Sequence, residues 1–120
     1  MKSTIRRLED LEVWKESMLL ATRVYQSVDQ SRDFGLRDQM QRAAGSVPSN
    51  IAEGDERESN KQLVHFLNYS RGSSGELRTQ IYLAAKLGVI DQPTSSERLE
   101  RSRKVSARLH KYMQVRKRDF

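Results

Sequence analysis

The sequence predicts an all-α fold, an antiparallel up-down four-helix bundle with its second helix kinked at Pro48. Three observations carry that prediction. Helix-forming residues dominate the 120-residue chain, which holds only two prolines and six glycines. Apolar residues recur at steps of three and four over four separate stretches. The segments between those stretches are short, so consecutive helices should lie side by side and run in opposite directions. Residues 1–120 are expected to form one domain, long enough for a single hydrophobic core and too short for a second.

The first helix is predicted from about Asp10 to Val28. Leu11, Trp14, Met18, Ala21, Tyr25 and Val28 follow the steps of a bundle seam. Val13, Leu20 and Val24 form a second stripe beside it. Together the stripes cover about 180° of the helix, more than one partner needs. Such a helix is either placed deep in the core or makes contacts beyond its own bundle.

A loop around Gln30–Gly35 leads to a second helix with Leu36, Met40, Ala43, Val47 and Ile51 on one face. Its period passes through Pro48 without a change of phase, which argues for one kinked helix. Pro48 removes the hydrogen bond to the Ala44 carbonyl, at a cost of about 3 kcal/mol unless packing offsets it. Val47, just before the proline, prefers an extended backbone. Two short helices meeting at Gly45–Ser46 are therefore the alternative. Ala43, Ala44 and Gly45 offer a low surface to Ser70, Ser73 and Ser74. Asn50 and Glu53 are expected to satisfy backbone groups that the proline disrupts.

The polar segment GDERES (54–59) is read as a connection, and Ser59 with Gln62 fits an N-terminal capping box. The third helix presents Leu63, Phe66, Leu67, Ser70, Ser74, Leu77, Ile81, Ala84 and Ala85 on one face. Gly88 stands where a left-handed C-cap is wanted. The fourth helix, with Ser95 or Ser96 as N-cap, buries Leu99, Ser102, Val105, Ser106, Leu109, Tyr112 and Met113.

Several function classes find no support. With no cysteine in the chain, disulfides, zinc thiolates and cysteine nucleophiles are excluded. No apolar run approaches the roughly 20 residues that span a bilayer, and no signal peptide stands at the N-terminus. No membrane role and a cytoplasmic location are expected. His65 and His110 fall on different helices, Asp55, Glu56 and Glu58 lie in a polar connection, and no phosphate-cradling loop is present. No catalytic, cofactor-binding or metal-ligating residue is expected, and the protein is read as a non-enzyme.

Charge is more informative. The net charge is +6, yet residues 1–96 balance at 13 cations against 13 anions. The excess lies entirely in residues 97–120, with nine against three. Arg101, Lys104, Arg108, Lys111 and Arg118 fall within an arc of about 100° on the fourth helix. Arg103, Arg116 and Lys117 lie outside the arc. Aligned cations on a rigid rod suit the regular charges of RNA or DNA. The competing explanation is a solvated surface, quieted by Glu97→Arg101 and Glu100→Lys104 pairs and favoured by the helix dipole. That pairing leaves Arg108, Lys111 and residues 116–118 uncompensated. No aromatic residue interleaves with the stripe, so binding should be sequence-independent and without base stacking.

Three motifs occur in order: D-L-x-V-W at Asp10, Leu11, Val13 and Trp14; then A-A-x-S-V-P-x-N-I-A-E-G at Ala43–Gly54; then G-S-x-x-E-L-x-T-Q at Gly72–Gln80. This combination, over about residues 8–92, resembles the four-helix-bundle proteins encoded in intervening sequences of bacterial large-subunit ribosomal RNA genes. The resemblance implies a bundle that assembles into a homopentameric ring. It is more distantly similar to accessory proteins of diversity-generating retroelements, which are basic pentamers that bind nucleic acid and a reverse transcriptase. The basic stripe lies beyond the matching motifs. The expectation is a non-enzymatic homo-oligomer that binds nucleic acid through its fourth helix. The alternative is a scaffold for an unknown protein partner.

Overall fold

Local signals set the helix ends in the computed structural model, which describes residues 7–118. A 3-10 turn at Leu8–Asp10 precedes α1 (Glu12–Val28), and α2 (Phe34–Asp55), α3 (Asn60–Lys86) and α4 (Gln92–Lys117) follow. Each helix packs on its sequence neighbours and α4 closes back on α1. The result is an up-down four-helix bundle measuring 53 × 22 × 21 Å. Strands are absent among the described residues.

Asp33 caps α2 by accepting the Leu36 amide at 3.1 Å. Ser59 does the same for α3 through the Gln62 amide at 3.1 Å. At the end of α3 the Gly88 amide donates to the Ala85 carbonyl and the Val89 amide to the Ala84 carbonyl. That pair of bonds is a Schellman cap, and Gly88 takes the left-handed φ of +74° that it requires.

Two boundaries differ from the sequence reading. Helix α4 starts earlier than Ser95 or Ser96, because Asp91 is the N-cap and accepts the Thr94 amide at 2.8 Å. Pro93 then sits in the first turn, where its missing N–H costs no helical bond. Helix α2 runs on to Asp55, so Gly54 and Asp55 are helical rather than part of the connection.

The core is assembled from the four inward stripes. Met40, Val47, Ile51, Leu67, Leu77, Ile81 and Leu109 are almost wholly removed from water, and apolar burial of this kind is the main favourable term in folding. On α1 the deep stripe is Val13, Ser17, Leu20, Val24 and Val28, with Ala21 beside it. The seam expected through Met18 and Tyr25 is instead half open, at 41% and 44% exposure. Ser17 explains the error: its hydroxyl donates to the Trp14 carbonyl at 2.8 Å, so a polar residue occupies a core position without an unmet hydrogen bond.

Helix α2 continues unbroken through Pro48, which rules out two helices meeting at Gly45–Ser46. The kink at Pro48 is not confirmed. The expected support for the proline takes another form. Asn50 Nδ2 donates to the Ser46 carbonyl and to Ser46 Oγ, both at 2.9 Å. Neither is the Ala44 carbonyl that the proline frees. Glu53 pairs with Arg57 at 3.1 Å on the surface and does not reach the backbone. Near Pro48 hydroxyls join α2 to α3, with Ser70 donating to the Val47 carbonyl at 2.7 Å and Ser46 meeting Ser73 at 2.8 Å. Gly45 faces Tyr25 of α1 rather than α3. Ser74 turns to α4, where it meets Ser106 at 2.8 Å.

Candidate nucleic-acid interface

The C-terminal half of α4 carries its cations because the helix needs only one side for the core. Ser95, Leu99, Ser102, Val105, Leu109 and Met113 are buried, and the remaining positions are free to be charged. The predicted stripe does not form one uniform face. Arg101 is tied to Glu97 four residues back, and Arg108 Nε stands 2.8 Å from Glu16 Oε1 of α1. That second contact is an ion pair without hydrogen-bond geometry. Arg108 is therefore compensated, contrary to the sequence reading, because a carboxylate from a distant helix reaches it.

Glu97 is the centre of a small network. It holds Arg98 and Arg101 on its own helix and lies 3.7 Å from Arg23 of α1. Partial burial pushes its carboxyl up, but the hydrogen bonds from Arg101 and Arg98 and their charges outweigh burial and hold it below its ordinary value. Arg98 also donates to Ser27 Oγ at 3.0 Å, bridging α4 to α1. The expected Glu100→Lys104 pair is absent among the described residues; Glu100 lies 4.0 Å from Arg103 instead.

Of the cations from Arg98 to Arg118, four stay exposed with no carboxylate paired to them among the described residues: Lys104, Lys111, Lys117 and Arg118. Lys111, Lys117 and Arg118 border one shallow surface depression together with His110 and Gln114. Arg116 differs from its neighbours. It is half-buried, and its guanidinium lies 5.5 Å from the centre of the Tyr112 ring, a cation–π contact within the bundle. The open charge thus concentrates in the last two turns of α4.

Of the other predicted positions, Pro48 is buried and lines an apolar groove with Met18, Ala21, Tyr25 and Gly45. His65 and His110 are both exposed and lie on different helices. Among the described residues no three His, Asp or Glu side chains are placed to hold a metal ion. No helix among them is long and apolar enough to cross a membrane. Sequence reasoning missed the cations of α3, Arg71 and Arg78, which stand on the side of that helix facing α4. Their seven-residue spacing was the available signal.

No curated protein matches the chain. Among solved structures, it is similar to a protein of unknown function from the S23 ribosomal protein family of Bacteroides thetaiotaomicron. The TM-score is 0.79 at 20% identity, over 84% of this chain and 97% of that one. That likeness concerns the fold. The sequence match is more specific: residues 9–111 fit the model of the 23S rRNA-intervening sequence proteins, and the chain belongs to that family.

Proposed function

We propose that the protein is a non-enzymatic, cytoplasmic homo-oligomer, five subunits in the number its family resemblance implies, that binds RNA or DNA through the basic end of α4. The observation that carries this reading is the grouping of Lys111, Lys117 and Arg118 around one depression, with Lys104 two turns before them on the same helix. All four are exposed and unmatched by carboxylates among the described residues. Cations that only supported the bundle would be paired, as Arg98, Arg101 and Arg108 are. Contacts of this kind are made to phosphates and are indifferent to sequence. Several copies in one assembly would multiply a weak face by avidity.

The half-exposed Met18 and Tyr25 beside Pro48 supply the apolar surface for assembly. The same strip supports a second reading, a scaffold that docks a protein partner and has no nucleic-acid role. Electrophoretic shifts separate the two. The first predicts retarded RNA and DNA at low salt, released as salt rises, with Lys111→Glu combined with Arg118→Glu abolishing the shift. A chain that retards neither polymer at low salt is the scaffold.

A further inference from the structure

The first turns of α3 lie beside the last turn of α4, and an open groove of about 730 Å3 runs between them. Val64 and Met113 give it an apolar floor, and Lys61, Lys117, Asn68 and His65 stand around it. Among the described residues no carboxylate lines it. The His65 ring is exposed and meets Tyr69 edge-on at 4.6 Å between centroids, and Tyr69 is itself 51% exposed. His65 of α3 thus stands on the groove with Lys117 of α4, and Tyr69 flanks it one turn further along α3.

Positive charge continues along the same seam. Arg71 lies seven residues after Val64 and seven before Arg78, an interval that returns to the same side of a helix. It is exposed, with no carboxylate paired to it among the described residues. Arg78 crosses to α4 by donating to Ser102 Oγ and Ser106 Oγ, each at 3.1 Å. Arg103 reaches back from α4 to the Tyr82 hydroxyl at 2.7 Å. From Lys61 to Tyr82 the seam extends about 30 Å at the helical rise.

We propose that this α3–α4 seam is a binding site for single-stranded nucleic acid. Lys61 and Lys117, which share the groove with His65, meet phosphates, and an unpaired base stacks on the exposed His65–Tyr69 ring pair. The site rests on the nucleic-acid reading above and deepens it, by naming the form of nucleic acid and the face that takes it. Cations that follow a backbone, joined to rings that take a base face, are the two parts such sites need. A duplex keeps its base faces stacked internally and can use only the cations. An acidic peptide would likewise meet the cations and leave the rings idle.

The test uses the full chain with a single-stranded RNA carrying 2-aminopurine, and with the duplex of the same sequence. The single strand should bind more tightly than the duplex, and the fluorescence of its 2-aminopurine should be quenched. His65→Ala with Tyr69→Ala should weaken the single strand by about tenfold or more, remove the quenching and leave duplex affinity unchanged. His65→Phe with Tyr69→Phe should restore quenching. Both positions are exposed, so the variants should keep the circular dichroism of the parent. Single-strand binding that is equally tight and equally quenched in the alanine variant overturns the site. So does displacement of the RNA by polyglutamate at equal charge. Failure to bind either nucleic acid at low salt overturns the nucleic-acid reading itself, an outcome distinct from binding that ignores the rings.

Discussion

Gly54 stands at a close approach of α2 to α3. A Cβ there would lie 3.0 Å from Leu63 Cδ1 and from Phe66 Cβ, and 3.2 Å from the Leu63 carbonyl oxygen. A backbone oxygen cannot move aside as a side chain can. Gly54→Ala should therefore destabilise the fold by about 1–3 kcal/mol through overpacking. Urea unfolding checks this: the midpoint should fall at constant slope, and an unchanged midpoint would mean the corner is looser than described. Ser59→Ala, which removes the cap on the Gln62 amide, should cost about 1 kcal/mol in the same assay. The two residues were not equally legible. Ser59 announces its role through its local spacing to Gln62, whereas Gly54 looked like a loop glycine because its constraint comes from another helix.

At the scale of the element, period alone identified four helices and misplaced the face of one. The apolar count on α1 favoured the row through Met18 and Tyr25, while the buried row runs through Ser17. A serine that satisfies itself within its own helix is invisible to a hydrophobic count. Proline gave a similar lesson at both of its positions. Pro93 opens α4 and Pro48 lies inside α2 without ending it. At Pro48 the neighbouring turn is held by the Ser70 hydroxyl on the Val47 carbonyl, a contact between helices that no local rule supplies.

The pairing of Glu97 with Arg101 and Arg98 has a consequence in acid. The Glu97 carboxyl, held below its ordinary value of 4.5 by Arg101 and Arg98, favours the folded state while it is ionised. Its contribution is present in full above that ordinary value and is lost as the pH falls through the lowered folded-state value. Glu97→Gln should reduce stability at neutral pH and flatten the acid limb of a stability–pH curve. An acid limb with the parent's slope would show that the pairs of Glu97 with Arg101 and Arg98 do not favour the folded state.

For the whole molecule, the basic end of α4 and the Met18–Tyr25 strip fall on different surfaces. Lys111, Lys117 and Arg118 stand at the end of α4, while the Met18–Tyr25 strip lies between α1 and α2. Assembly and nucleic-acid binding should therefore be separable by mutation. Met18→Glu with Tyr25→Glu should reduce the assembly to monomers by light scattering, and each monomer should bind RNA more weakly through lost avidity. An undiminished assembly would place the interface elsewhere. The excess of cations after residue 96 was legible in the sequence. Which of them remain open was not, because Glu16 answers Arg108 from a helix about 90 residues away in the chain.

The central claim is that the unpaired cations of α4 exist to meet phosphates. The most direct measurement is the affinity of the assembled protein for single-stranded RNA across a salt series. The claim predicts a linear fall of log affinity with log salt, with a slope of about −0.7 per phosphate neutralised, and a shallower slope for Lys111→Glu with Arg118→Glu. Affinity that is absent at low salt, or a slope that the double variant leaves unchanged, would contradict it.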